Sequence, residues 1–349
     1  MSAAPAAGGA GLQQGFLRRR GNSLIMLVAG AAACALAPLS PVWLDTVVLT
    51  GVFALIALSA GLSFGQAGIL SMAQGAFAAI GAYSTAVLAT KLGLSAWVGL
   101  ALAVSLPAAL AWGLARLVTR MPELATALAT LALATLLEIL ARNWDRVTGG
   151  YVGIAGIPPV PGFEKAWVFN ILVWSFVLGA VFLYENLMHS AHGRALNIVR
   201  HDRTRAMADG VAVAPLLSAM LATSGAMAGA GGWLYAHYIT YMSPHSLDTY
   251  ASISALLMAV VGGAGYILGP VLGAFLLNLL GKLLPAQEAQ GLFYGGALIV
   301  ILVVAPQGLL GGIERGLQRL RARREAAAER AADRAVAAAG SPADAARRK

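Results

Sequence analysis

Residues 45–64 read DTVVLTGVFALIALSAGLSF, and residues 65–77 continue as GQAGILSMAQGAF. After Asp45 the first stretch carries no charge, and its length matches the roughly 20 apolar residues that a helix needs to cross the hydrocarbon core of a bilayer. Lipid offers the backbone no hydrogen-bond partner, so a run of this kind is read as helix rather than open strand. Similar runs recur at 23–44, 67–90, 95–118, 123–141, 167–187, 212–238, 251–283 and 291–310. The 349 residues are 59% hydrophobic and 11% charged, whereas soluble domains carry about a quarter charged residues. The chain reads as an all-α polytopic membrane protein with a cytoplasmic segment at 1–22, a membrane domain at 23–312 and a basic, Ala/Arg-rich tail at 313–349.

Charge placement sets the orientation. The net charge of +9 is spread in short clusters between apolar runs, as expected of cytoplasmic loops rather than of a nucleic-acid surface. Arg18, Arg19 and Arg20, Arg116 and Arg120, the group Arg194, Arg200, Arg203 and Arg205, and the tail from Ile313 onward are all expected inside. Nine simple passes starting inside would leave that tail outside. The run 251–283 is too long for one pass and is interrupted by Gly262, Gly263, Gly265 and Pro270, so it is expected to break and pass twice, giving about ten passes. The run 23–44 is longer than the apolar core of a cleaved signal, about 7 to 15 residues, and is read as a retained span. The tail could form a solvated helix to about Ala339, idle or lying on anionic lipid. Cys34 is the single cysteine, which excludes an intrachain disulfide and a CxxC metal site. A lipid-attachment reading of Cys34 finds Ala31 where leucine is usual.

Several patterns imitate enzymes. Gly61-Leu-Ser63-Phe-Gly65 matches GxSxG, but the serine elbow needs a preceding strand and His and acid partners, and only His237 lies in an apolar run, near its end. Gly263, Gly265 and Gly269 miss the dinucleotide spacing by one residue, and no GxxxxGK[ST] loop occurs. No catalytic or metal-ligating set is expected, and any ATP energy must come from a partner. The pairs Gly61/Gly65, Gly225/Gly229, Gly265/Gly269 and Gly269/Gly273 have GxxxG spacing, which suits close helix packing within the subunit or at a subunit interface. Glu138 sits four residues before Arg142, the spacing of an ion pair, near the outer end of its span.

Two segments are informative about function. Glycines and amides at membrane depth in Gly65 to Phe77 suit backbone that lines a cavity; tight packing is the other reading. Gln66, Ser71 and Gln74, with Thr126 and Thr130 one helical turn apart, are the candidate lining of a substrate pathway. Gly193 to Gly210 is the longest charged inner excursion, with Leu196 and Val199 on one helical side. It is either an amphipathic docking helix or a solvated loop.

Four segments in order resemble the membrane permeases of branched-chain amino acid ABC importers, the LivM-like branch. They are Gly65 to Tyr83, the outer loop Asn143 to Pro158 (NWDRVTGGYVGIAGIP), Gly193 to Gly210, and Leu234 to Tyr238 through Ser243-Pro244 to Gly262-Gly-Ala-Gly-Tyr-Ile-Leu-Gly-Pro270, within a match over about 45–310. The resemblance implies a multi-pass half-channel in the bacterial inner membrane, paired as a heterodimer with a second related permease. It also implies two cytoplasmic ATPase subunits, which bind the ATP, and a periplasmic or extracytoplasmic solute-binding protein. Gly193 to Gly210 then corresponds to the helix that sits in a groove of the ATPase, with Gly193, Arg194, Arg200, Asp202 and Gly210 as the coupling residues. The resemblance makes a branched-chain amino acid the expected solute; Ile69, Ala73, Gln74 and Tyr151 depart from the family pattern near the expected pathway, which leaves urea, short amides and aromatic acids as alternatives. The rivals are an ion-gradient transporter, for which Glu138 is the acid on offer, and a membrane scaffold, which needs neither a polar break nor a docking helix.

Overall fold

The computed structural model describes residues 21–36, 40–283, 296 and 308–315. The expected segment 1–22 apart from its last two residues, most of the run 291–310 and the tail beyond Arg315 lie outside the described residues. The helices are α1 Gly21–Leu36, α2 Pro41–Ala60, α3 Gln74–Lys91, α4 Ala96–Val118, α5 Glu123–Asn143, α6 Ala166–His189, α7 Ala191–His201, α8 Arg203–Ala208, α9 Val213–Ile239, α10 Thr249–Gly262 and α11 Gly269–Leu283. The stretches Trp43–Gln66, Ala96–Val118, Glu123–Asn143, Ala166–His189 and Val213–Ile239 are long and apolar enough to cross a membrane. Helix starts follow local chemistry. Ser95, Ser190, Asp202 and Asp248 accept backbone N–H groups at the first turns of α4, α7, α8 and α10, satisfying donors that a helix leaves open at its N-terminus. The run 251–283 breaks where expected: α10 ends at Gly263, whose φ of +113° is open only to glycine, and α11 begins at Gly269.

Helix α9 forms the centre and packs on α4, α3 and α2. Without a hydrophobic force between helices in lipid, close approach depends on small residues, and the sequence supplies them in register. On α4, Ala103, Pro107, Ala111 and Ala115 repeat every four residues and are buried. Ala103, Pro107 and Ala111 face Gly225 and Gly229 of α9, where a Cβ on Gly229 would overlap the Ala103 carbonyl. Gly81 of α3 meets Gly229, and Gly232 meets the Ala78 carbonyl. In the same way Gly273 of α11 abuts the Met258 carbonyl of α10, and Gly61 abuts Pro270. The GxxxG glycines therefore pack helices within the subunit, with Gly265 the exception, open apart from Arg200.

Each end of the bundle is fastened by polar groups. At the end bearing α7 and α8, the buried Glu185 carboxylate of α6 accepts from the backbone N–H groups of Asn22 and Ser23 at 3.3 and 3.2 Å and from the Ser23 hydroxyl. An anion is thereby placed on the positive end of α1. At the opposite end, β1 (Ile154–Ala155) pairs antiparallel with β2 (Tyr241–Met242), with Ile154 opposite Met242, clipping the loop 143–158 to α9. His237, 2% exposed, donates from Nδ1 to the Pro158 carbonyl at 2.7 Å and takes the Thr85 hydroxyl on Nε2 at 2.9 Å, a second clip on the same loop. Glu138 and Arg142 form the expected ion pair, and Glu138 also accepts from the Thr249 hydroxyl at 3.1 Å, joining α5 to α10.

Candidate functional site

Helix α2 does not end cleanly. After Ala60 it widens into a π-helical turn, Gly61–Gln66, in which the Ala67 N–H reaches back five residues to the Leu62 carbonyl at 3.1 Å; such turns often mark functional positions. A Cβ on Gly65 would overlap the Ala264 carbonyl, so glycine lets the turn press on the chain between α10 and α11. Gly68 then takes φ +64°, and residues 67–73 run as non-helical backbone before α3 begins.

That unwound segment runs alongside α10. Gln66 Nε2 donates to the Gly265 carbonyl, beyond the C-terminal end of α10, at 3.0 Å. Gly75 N–H donates to the Ser252 hydroxyl, near the other end of α10, at 3.0 Å. Buried backbone freed from a helix must find partners, and hydroxyls from neighbouring helices provide them: Met72 N–H donates to Thr130 Oγ1 of α5 at 2.9 Å. Thr130 itself donates back to the carbonyls of Thr126 and Ala127 at 2.9 and 3.0 Å.

The five candidate pathway residues thus gather around one feature. Ser71, Gln74, Thr126 and Thr130 are buried, and Gln66 is half-buried. Gln74 is a hub: its Oε1 accepts from the hydroxyls of Ser59 at 2.9 Å and Ser224 at 3.2 Å, and its Nε2 donates to Ser63 Oγ at 3.1 Å. Ser63, the serine of the GxSxG pattern, donates to the Ala60 carbonyl and is fully buried. Thr126 donates to the Val118 carbonyl at 3.1 Å, tying α5 to the end of α4. Along its α3 and α4 side, α5 is separated by an apolar cleft of about 480 Å³.

The charged excursion is a helical elbow. Gly193, Leu196, Val199 and Ala206 are buried, while Arg194, Asn197, Arg200, His201, Asp202, Arg205 and Asp209 are exposed. The apolar residues Ile198 and Met207 are exposed with them, at 40% and 58%. A Cβ on Gly193 would overlap the Leu187 and Met188 carbonyls, so α7 starts tight against the end of α6. Asp202 turns the chain by capping α8 through Thr204 and Arg205 N–H at 2.8 and 3.0 Å, and Gly210 closes the elbow at φ +81°. Arg194 reaches the His189 carbonyl at 3.4 Å. Arg200 is placed differently from the others: a Cβ on Gly68 would lie 3.8 Å from its Cγ, and one on Gly265 4.0 Å from its Nη1. One side chain of α7 therefore lies beside both the unwound segment and the turn between α10 and α11. Helix 308–315 starts against the same turn, with Gly308 on Gly263.

The sequence reading overlooked part of this arrangement. It took Glu138 as the acid on offer in a span, whereas Glu185 is a second, 3% exposed and held by the start of α1. It also missed the serine collar of Ser59, Ser224 and Ser252. Serines on helices that are otherwise mostly apolar were the available signal. At the end of the bundle bearing β1 and β2, Glu138, His245 and Asp248 bring ligand atoms within 4.8 Å of one another. Arg142 bonds both Glu138 and His245, so its guanidinium supplies the positive charge there and the group reads as an ion-pair network.

Residues 42–303 match the family described as branched-chain amino acid transport system / permease component. The high-affinity branched-chain amino acid transport system permease protein LivM of Escherichia coli strain K12 is 29% identical over 294 residues, covering 76% of this chain and 69% of that protein. LivM of Salmonella typhimurium matches to the same extent. LivH, a permease protein of the same Escherichia coli system by name, is 24% identical over 290 residues, covering 76% of this chain and 93% of LivH. No solved structure matches.

Proposed function

The chain belongs to the branched-chain amino acid transport system / permease component family, and on that premise we propose that it is one permease subunit of an ATP-driven importer. It forms half of the translocation pathway for a small amphipathic solute, with branched-chain amino acids as the leading class. Similarity to both LivM and LivH supports a pairing of two related permeases. In this reading the chain makes about ten passes of a bacterial inner membrane: the nine long described helices and the apolar run at 291–310.

The observation that carries the reading is the position of Arg200. A cytoplasmic ATPase that grips the exposed face of α7 and α8 can move Arg200, and with it the segment 67–73 and the turn 263–268. Alternating access needs a two-state element that the energy source biases, and these two breaks are where the helices are already uncoupled. Gln66, Ser71, Gln74, Thr126 and Thr130 act on the pathway by fixing the shape of the unwound segment. Of the departures from the family pattern, Ile69, Ala73 and Gln74 are buried and face helices, which leaves branched-chain amino acids ahead of urea, amides and aromatic acids. Glu138 and Glu185 are both engaged by partners, which disfavours an ion-gradient transporter.

The test is purification of the chain from native membranes in mild detergent, with ATPase activity assayed in the eluate. An ATPase and a second permease are expected to co-elute, and the Arg194, Arg200 and Asp202 triple alanine variant is expected to lose the ATPase. A wild-type chain that elutes alone would overturn the proposal.

A further inference from the structure

Between α10 and α11, on the outer side of the break, lies a cavity of about 420 Å³. Asp248 at the start of α10 and Lys282 at the end of α11 stand at its rim, with Ser254 and Asn278 deeper and Phe53 and Met258 supplying apolar wall. Along α10 the order Asp248, Ser254, Met258 steps inward by about 9 Å and then about 6 Å at 1.5 Å per residue. Charge of both signs at the rim thus gives way to neutral polar groups and then to apolar surface.

The deeper polar groups point to a ligand. Ser254 is 6% exposed, and among the described residues neither its hydroxyl nor the buried Nδ2 of Asn278 has a hydrogen-bond partner. Buried donors are nearly always paired, and here two face one cavity. Elsewhere in the bundle the serines Ser59, Ser63, Ser224 and Ser252 are all bonded, so Ser254 departs from the pattern of its neighbours. The rim charges are held in place. Lys282 bonds the Thr46 hydroxyl and lies 4.0 Å from Asp45, and Asp248 Oδ1 caps Ala251 at 3.1 Å while the carboxylate keeps further acceptor capacity.

We propose that this cavity is a binding site for a zwitterionic aliphatic amino acid on the outer half of the pathway. The substrate ammonium pairs with Asp248, and its carboxylate takes Lys282 together with the Asn278 amide and the Ser254 hydroxyl. Its side chain lies on Phe53 and Met258. The assignment rests on the importer reading and deepens it, since it places a solute-selective step in the permease itself.

The test uses the full complex in nanodiscs, without a solute-binding protein, and radiolabelled L-leucine as probe. Saturable binding is expected. 4-Methylpentanoate, which lacks the amine, and 3-methylbutylamine, which lacks the carboxylate, should compete at least about tenfold more weakly, as loss of one charge-assisted contact implies. Asn278→Leu should weaken leucine binding by a similar factor. A second variant guards against misfolding: Ser254→Cys in a Cys34→Ser background is close to isosteric and is labelled by a small methanethiosulfonate. Leucine at ten times its Kd should slow that labelling about elevenfold, the factor 1 + [L]/Kd. Labelling at the same rate with and without leucine, in a complex that still performs ATP-dependent uptake, overturns the site and leaves the importer reading standing. Protection by leucine in a complex with no ATP-dependent uptake supports the site and removes the importer reading.

Discussion

Replacing Gln74 with leucine separates a side chain that shapes the break from one that touches the solute. The substitution keeps roughly the same volume in a position that is 0% exposed and deletes the hydrogen bonds to Ser59, Ser63 and Ser224 at 2.9, 3.1 and 3.2 Å. Hydrogen bonds between helices in a membrane average about 0.6 kcal/mol each, so the three together contribute about 2 kcal/mol. None of the hydroxyl protons is orphaned, because Ser59, Ser63 and Ser224 each have a carbonyl within 2.6–3.1 Å, those of Ile56, Ala60 and Ser59. Relief from burying an amide offsets part of the loss, which leaves an expected destabilisation of about 1–2 kcal/mol, or roughly five- to thirtyfold in the folding equilibrium. Equilibrium unfolding in mixed micelles of dodecyl maltoside and SDS reads that change, and uptake by the same preparation reads function. Stability and uptake should fall together, and a second-site Ser63→Ala should cost less in the Gln74→Leu background than in wild type. Uptake abolished with unfolding unchanged would show that Gln74 meets the solute directly and would refute the hub.

Other positions give independent checks. Gly229→Ala should destabilise by about 1–3 kcal/mol, as overpacking does, because its Cβ would overlap the Ala103 carbonyl; Gly179→Ala, with open space around it, should leave the unfolding midpoint where it is or raise it. Glu185→Ala strips the start of α1 of its carboxylate and should cost about 2 kcal/mol, read as faster alkylation of Cys34 on α1 by a maleimide. Glu138→Gln loses an i,i+4 ion pair worth about 0.5 kcal/mol, and its amide oxygen can still accept from Thr249. Uptake should therefore keep the same pH profile, and a lost pH dependence would mark Glu138 as a transport acid.

The architecture was legible where physics acts on single residues or short periods. Apolar runs located most of the helices, though the run 23–44 holds the end of α1 at Leu36 and the start of α2 at Pro41, and Gly262 to Pro270 located the break in 251–283, because only glycine accepts the φ of Gly263 and proline cannot continue an established helix. The four-residue spacing of Gly225 and Gly229 forecast a close crossing, but not that Ala103 and Pro107 of α4 and Gly81 of α3 would share it, since partner choice depends on tertiary register. Glu138 and Arg142 were readable because a local spacing fixes that contact. Glu185 was not, because its partner is the N-terminus of a helix more than 160 residues earlier in the chain. For the same reason the polar character of Gln74 suggested a pathway lining, while its bonding to serines on α2 and α9 appears only when those helices are brought together. The elbow at α7 and α8 was visible as an amphipathic helix, but the placement of Arg200 beside both breaks needs Gly68 and Gly265 to be neighbours in space.

The most direct measurement is uptake of L-leucine into proteoliposomes holding this chain with its co-purified partners, with ATP on the side of α7 and α8, with and without a protonophore. Uptake that requires ATP, survives the protonophore and is lost in Arg200→Ala is the result the account predicts. Uptake by the chain alone that needs no ATP and collapses with the protonophore would contradict it.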